Sequence, residues 1–511
     1  MPRLPLLTWI GNAAAVLFGR HGDVTQQTQQ AGCSRQAAYG HAERVQQAVA
    51  EAQRPGPSRA ALMEEIGRLQ AQVAALQRQL EDTLVLDQDK RQRLTVTTSA
   101  MGLSLSQVRE VFTVLLGKGK TPGRATLGRW VQQYARRAGS VLEVLDRHTQ
   151  PVAVDLCADE IFFGGQPVLV GVEPHSMALL LCQRAADRKG DTWQNALTPF
   201  ATLEYVACDQ GKGLLAGLKA LARTRPAAAP RLEVGLDVFH TEREARKVLG
   251  RDWRRLEACW ERAEQADQAL ARAKDLRGKA AHAQAAWREV QAWWSVYERR
   301  EGAWERAKAA LGVFRRDGRL NDRAQAEAEI TQALRALPGP RWRKVRGMLT
   351  DGRTLTFLDR LHRRLAQAEP RVELRAALVR LWRWEQEPRT GVAVGAAVVQ
   401  RVVCARLSRD WKESYTRVSQ LLSQVVRASS AVECVNSVLR MQQARHRGLS
   451  QGMLDLKRLY WNCRPFRAGK RKGKAPYQWL GVPLPREDFW ELLQRDPAQL
   501  EQELSTPRVA A

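Results

Sequence analysis

Between Pro151 and Leu181 the sequence PVAVDLCADEIFFGGQPVLVGVEPHSMALLL sets three apolar runs apart by two turn signals, Gly164-Gly165 and Pro174-His175-Ser176. Short β-rich runs bounded by such residues predict three consecutive strands joined as hairpins. The first run carries two acids, Asp155 and Asp159. A carboxylate buried in a strand costs several kcal/mol unless it is hydrogen-bonded, paired or bound to a metal. Whatever this chain folds into must give those two charges a use.

The chain beyond the block alternates helix and strand. A helix is expected over Asp191–Leu203, a strand over Tyr205–Cys208 ending at Asp209, a helix over Gly211–Leu221, and a strand over Leu232–Leu236 that runs into Asp237-Val238-Phe239-His240. A meander followed by strand–helix–strand predicts a mixed sheet, in which active groups collect at strand ends. From about Thr241 to Ser430 the sequence becomes helical by period and holds ten of the sixteen tryptophans. Trp253/Trp260 and Trp287/Trp294 share helix faces, so most of these rings are expected to pack helices together. A late helix, Ser429–Gln443, places Glu433, Asn436 and Arg440 on one face. The run RPFRAGKRKGKAP follows, in which Arg464, Arg467, Lys470, Arg471, Lys472 and Lys474 stand without an acid, as a solvated loop or a phosphate clamp.

A formal charge of +27 over 511 residues argues for several domains and a polyanionic partner, which for a basic protein of this kind is nucleic acid. The eight cysteines form no CxxC pair, which disfavours a zinc ribbon and fits reduced core thiols in a cytoplasmic protein. LPLLTWIGNAAAVLFG reads as a first packed helix rather than a secretory leader, and the apolar run GVAVGAAVVQRVVCARL is interrupted by Gln400 and Arg401, so no membrane span is expected. Asp23–Ala50 suggests a helix-turn-helix: a short helix ends at Gly32, Ser34 caps a second, and that one presents Arg35, Gln36, Tyr39 and His41 near its start, the place from which side chains reach base edges. After the Pro55-Gly56-Pro57 break, Ile66, Val73 and Leu80 fall at heptad position a and Leu62, Leu69 and Leu76 at d. That pattern favours a parallel two-stranded coil over an intramolecular hairpin. A second helical unit between Leu103 and Arg147 offers Arg124, Thr126, Arg129, Gln132 and Arg136 to a phosphate backbone or groove. The expected organisation is a helix-turn-helix (1–54), a coiled-coil helix (55–90), a second DNA-binding unit (91–150), the first part of an α/β core (151–245), an all-helical insertion (246–425), and the rest of the core with a basic tail (426–511).

Three acids stand in order: Asp159 on a first strand, Asp209 at the end of a later strand, and Glu433 on a late helix. In-line phosphoryl transfer uses two divalent ions about 4 Å apart, held by carboxylates that converge from separate elements. Oxygen-only ligation selects Mg²⁺ or Mn²⁺ over zinc.

This ordered set resembles the RNase H-like catalytic core of DDE transposases. Asp237-x-x-His240 is similar to the Cys/Asp-x-x-His signature that follows the second acid in Mutator-like and hAT-like transposases and their bacterial insertion-sequence relatives. The long helical insertion before the final acid and the E-x-x-N-x-x-x-R arrangement at Glu433 agree with that branch. The resemblance covers about residues 150–480. It implies an RNase H-like mixed sheet with an N-terminal all-α DNA-binding region, two Mg²⁺ or Mn²⁺ ions on Asp159, Asp209 and Glu433, and a nucleoid-associated bacterial protein. It further implies binding to double-stranded transposon ends and target by a homodimer or larger homo-oligomer, with Arg35, Gln36, Arg124, Arg129, Arg440, Arg467, Lys470, Arg471 and Lys472 as DNA contacts. Asp159 is favoured as the first acid because DEIFFGG resembles the first-acid segment of bacterial transposases. Asp155 remains the alternative, since residues four apart share a strand face. The rivals are a non-catalytic DNA-binding regulator on the same scaffold and a structure-specific nuclease.

Overall fold

The computed structural model describes residues 5–53, 58–81, 86–388, 390–443, 449–482, 484 and 488–505. The Pro55-Gly56-Pro57 break and the side chain of Leu80 lie outside them. The chain forms two compact units, Met1–Asp87 and Gln88–Ala511.

In the first unit α1 (Leu6–Phe18), α2 (Asp23–Gln30) and α3 (Arg35–Ala52) pack on one another. Gly32 turns the chain at φ +62°, and Ser34 caps α3 by accepting the Ala37 N–H at 3.2 Å. The sequence places His41 among side chains free to reach a base, and the structure corrects this. His41 is buried, stacked 4.3 Å from the Trp9 ring, with Nδ1 3.0 Å from Asn12 Nδ2. An aromatic with a buried polar partner from α1 is core, and only Arg35, Gln36 and Tyr39 stay exposed. Beyond them, α4 (Arg59–Glu81) carries Leu62, Ile66, Leu69, Val73 and Leu76, each 46–54% exposed.

The second unit is mixed α/β and rich in helix, built around one five-stranded sheet. It opens with α5 (Gln88–Met101), α6 (Leu105–Leu116) and α7 (Arg124–Thr149). Ser104 and Gln107 close a reciprocal capping box at the start of α6. The strands are β1 (Asp155–Phe163), β2 (Gln166–Val172), β3 (Leu179–Arg184), β4 (Tyr205–Cys208) and β5 (Glu233–Leu236). They lie in the order β3-β2-β1-β4-β5, with β1–β2 and β2–β3 antiparallel and β1–β4 and β4–β5 parallel. Gly164 and Gly165 both have positive φ, at +57° and +84°, which a two-residue hairpin loop of this hand requires. Between β3 and β4, α8 (Gly190–Leu197) ends before Pro199, earlier than the periodicity predicts, and Phe200 and Leu203 continue into the core as a turn. Then α9 (Lys212–Thr224) connects β4 to β5.

Alternate residues of each strand feed two cores. Leu156, Ala158, Leu169, Leu180 and Val206 face a layer that includes α7, α8 and α9. Cys157, Ile161, Val168, Val170 and Ala207 face the opposite layer. That layer begins with α10 (Val238–Ala271) and α11 (Arg277–Ala310), joined by a ladder in which Trp260 lies 5.6 Å from Trp287 and 6.4 Å from Trp294. It continues through α12 (Arg323–Leu334), α13 (Arg343–Thr350), α14 (Thr356–Ala368), α15 (Val372–Gln386), α16 (Gly391–Leu407) and α17 (Trp411–Ser423). The chain then returns to the sheet through α18 (Ser430–Gln443) and α19 (Gln451–Cys463), followed by the short helices α20 (Pro476–Leu480), α21 (Phe489–Gln494) and α22 (Pro497–Ser505). Among the described residues no helix is long and apolar enough to cross a membrane, and all eight cysteines are free thiols.

The helical layer is tied to the sheet by charge. Arg360 on α14, itself buried, reaches Asp155 Oδ1 at 2.7 Å and Glu204 Oε2 at 3.2 Å, with its guanidinium 5.0 Å from the Tyr205 ring centroid. His175 Nε2 lies 3.0 Å from the other oxygen of Asp155. Burial pushes the Asp155 carboxyl up, but His175 and Arg360 outweigh it and hold the group below the usual range. Breaking a buried pair by neutralising one partner costs on the order of 3 kcal/mol or more. Asp155→Asn is therefore expected to lower unfolding free energy by about 3 kcal/mol, read by urea denaturation at neutral pH.

Candidate active site

The β1–β4 ladder runs from Asp155↔Tyr205 to Ala158↔Cys208. Asp159 and Asp209 are the next residue on each strand, so parallel pairing brings two acids from distant sequence to the same sheet end. The pairing also separates the two acids of β1: Asp155 stands at the far end of the ladder, held by Arg360 and His175, whereas Asp159 stands beside Asp209.

The third acid arrives on α18, which crosses β1 and β2 with Val432, Val435 and Leu439 buried against the sheet. Asn436, fully buried, donates from Nδ2 to Asp159 Oδ2 at 2.7 Å. Glu433 lies one turn earlier, with Oε1 3.8 Å from His240 Nε2 and Oε2 3.5 Å from Arg440 Nη1. Asp237 caps α10 by accepting the Phe239 N–H at 2.7 Å, lies 2.7 Å from His240 Nδ1, and accepts a short hydrogen bond from the Ser429 hydroxyl. Thus Asp237 and His240 join the end of β5 to the start of the helix that carries Glu433.

The electrostatics follow from this crowding. Burial, reinforced by the neighbouring charges of Asp209, Glu433 and Glu160, pushes the Asp159 carboxyl up to about 7, against one backbone hydrogen bond that favours the ionised form. The hydrogen bond to Asp237 raises the His240 imidazole, with burial opposing. At Asp237 burial works upward, but the bonds from His240 and Ser429 win and hold the carboxyl low.

The remaining sequence-derived residues are spread over both units. Arg35 and Gln36 are exposed on α3, with Arg35 also donating to the Thr25 hydroxyl. Arg124 and Arg129 lie exposed on α7, Arg440 on α18, and Arg467, Lys470 and Lys472 on the loop after α19. Arg471 turns inward instead, donating from Nε to the His175 carbonyl at 2.6 Å and from Nη2 to the Pro174 carbonyl at 2.8 Å. It braces the β2–β3 turn. The sequence reading passed over Glu160, beside Asp159. Its Oε1 accepts from Arg188 Nη1 at 3.0 Å, while its Oε2 is buried without a hydrogen-bond partner. The signal for it was the one that exposed its neighbours, an acid inside an apolar run.

Among the described residues no three His, Cys, Asp or Glu side chains converge closely enough to enclose a metal ion. The donor chemistry nevertheless suits a hard divalent cation. The acids are oxygen donors whose charges add to the proton affinity of Asp159, and two buried oxygens beside them, Asn436 Oδ1 and Glu160 Oε2, have no hydrogen-bond partner. Like charges stand apart until something neutralises them. Comparison of the chain with protein-family models, curated proteins and solved structures returned no match.

A carboxyl whose folded pKa lies above its ordinary value stabilises the fold fully below that ordinary value, and the contribution is lost as pH rises through the folded pKa. For Asp159 the loss is complete above about 7. Without divalent metal, Asp159→Asn is thus expected to be more stable than wild type at pH 8, by on the order of 4 kcal/mol, with the gap shrinking as pH falls toward about 4. Thermal unfolding across that range in chelator checks it.

Proposed function

We propose that the chain is a DDE transposase with an RNase H-like catalytic core, acting on the phosphodiesters of double-stranded DNA. The observation that carries this reading is that Asp209, beyond a parallel neighbouring strand, and Glu433, on a late helix, both lie near enough to buried Asp159 on the first strand for their charges to add to its proton affinity. The strand order β3-β2-β1-β4-β5, the Asp237–His240 contact toward Glu433 and the overall charge of +27 support it.

Asp159, Asp209 and Glu433 would hold Mg²⁺ or Mn²⁺, as two ions. Such ions lower the pKa of an attacking water or 3′-hydroxyl and neutralise the leaving oxygen. The chain's own residues do the rest. Asn436 fixes the orientation of Asp159 through its amide N–H. His240, held by Asp237, turns its Nε2 toward Glu433. Exposed Arg124, Arg129, Arg440, Arg467, Lys470 and Lys472 would meet phosphates, and Arg35 and Gln36 bases, so affinity falls steeply with salt.

The half-exposed a/d stripe of α4 supports a homodimer joined by a parallel coil. Apolar side chains recurring at a/d spacing along one face form a seam for a second helix, and a second copy would cover the stripe. Val73→Asp is expected to convert a dimer to monomer in analytical ultracentrifugation.

The chemistry is tested by incubating the full chain and Mg²⁺ with duplex DNA taken from the flanks of its coding sequence. Wild type is expected to nick the DNA and to join a pre-cleaved 3′ end to a target. Asp159→Asn should reduce both at least 100-fold, the scale of losing an essential electrostatic group, while DNA binding persists. Nicking without joining would make the protein a nuclease, and DNA binding without either would make it a regulator.

A further inference from the structure

Strand alternation turns Glu160 to the face of β1 opposite Asp159, toward the layer that holds α8 and α9. Asp209 follows the end of β4, and the two carboxylates approach each other at the start of α9. A Cβ built on Gly211 would have as its nearest neighbours Asp209 Oδ1 at 2.9 Å, Glu160 Oε2 at 3.7 Å and Asp209 Cγ at 3.8 Å. Two carboxylate oxygens therefore border one point that only a glycine leaves open. The Asp209 oxygen accepts the Gly211 N–H at 2.8 Å, whereas the Glu160 oxygen is buried and accepts nothing. The Glu160 side chain is only 9% exposed, and its other oxygen is fixed by Arg188, whose guanidinium sits 5.5 Å from the Phe162 ring centroid.

We propose that Glu160 is a fourth acidic donor of the site, forming with Asp209 a binding place for a divalent, oxygen-preferring cation on the opposite side of β1 from Asp159. An ionised carboxylate with one buried oxygen lacking any donor loses the full solvation of that oxygen. A proton on that oxygen would need an acceptor, and no hydrogen-bond partner of either kind lies in reach. Anchoring Arg188 accounts for one oxygen of Glu160 and leaves the other without a role. A cation shared with Asp209 satisfies it, and places Arg188, which is largely exposed, at the rim of the same site. Glu160 is long enough to follow a cation held chiefly by Asp209, so the pair would set how tightly that ion stays.

This inference rests on the metal-dependent reading of the Asp159–Asp209–Glu433 group, and its test keeps the two apart. Mn²⁺ alone is titrated into the full chain, and free Mn²⁺ is followed by electron paramagnetic resonance for wild type, Asp159→Asn, Glu160→Gln, Arg188→Ala and Gly211→Ala, each checked for an unchanged circular dichroism spectrum. Glu160→Gln is expected to weaken at least one Mn²⁺ by about 10-fold or more, the scale of losing a metal-site partner. Gly211→Ala, which removes no charge but fills the shared point, should weaken the same ion. Arg188→Ala should change it by no more than about twofold, well below that scale. Wild-type affinity in Glu160→Gln, with binding lost in Asp159→Asn, overturns the role of Glu160 and leaves the proposed function standing. Equal losses in Glu160→Gln and Arg188→Ala overturn it too, since Glu160 would then act only by holding Arg188. No Mn²⁺ binding by wild type overturns both readings.

Discussion

The architecture hangs on the hydrogen bonds of Asp237. Its carboxylate accepts the Phe239 N–H at the start of α10, lies against His240, and takes the Ser429 hydroxyl just before α18. One residue on, the Val238 N–H donates to the Arg427 carbonyl. The helical layer leaves the sheet at the first of these places and re-enters at the second. Clasping both ends at one carboxylate closes the long excursion, whose closure entropy grows only slowly with its length. The chain comes back pointed at β1, so α18 can lay Asn436 and Glu433 over Asp159. A polar group buried this deeply is tolerated because every neighbour supplies a donor.

Against that well-satisfied carboxylate stands one that is not. Asp159 has acids for neighbours, and burial, reinforced by their charges, raises its proton affinity. The two ends of β1 thus embody opposite solutions to one problem. At Asp155 the protein supplies a guanidinium and an imidazole and gains a joint between layers. Four residues later it supplies more anions, which weakens the fold and prepares a place for positive charge.

Much of this was legible in the sequence because it is local. The Gly164-Gly165 turn, the Ser34 and Ser104 caps and the meander followed by strand–helix–strand depend on neighbouring residues, and the structure has them. What resisted reading depends on partners far along the chain. Asp155 and Asp159 share a strand face, and what distinguishes them comes from elsewhere in the chain, Arg360 on α14 for the one and Asp209 and Asn436 for the other. His41 sits where a recognition helix presents its side chains, yet Trp9 and Asn12 from α1 claim it. Arg471 belongs to a run that looks wholly solvated, and two carbonyls of a distant turn draw it in. The heptads of α4 were plain, but a sequence does not say which chain will cover them.

The ion pairs between α14 and the sheet carry a lesson for anyone reshaping this molecule. Arg360 serves Asp155 and Glu204, and Arg363 serves Glu233 at 2.6 Å. The helical insertion is a reservoir of counter-ions for three carboxylates at the N-terminal ends of β1, β4 and β5, and Arg360 lies over the ring of Tyr205. A shortened version that splices β5 directly to α18 would restore the chain's path but leave those acids together at a bare end of the sheet. Such a deletion has to be accompanied by neutral replacements at Asp155, Glu204 and Glu233. In a family of shorter chains built on this sheet, those three positions are where the acids should be missing.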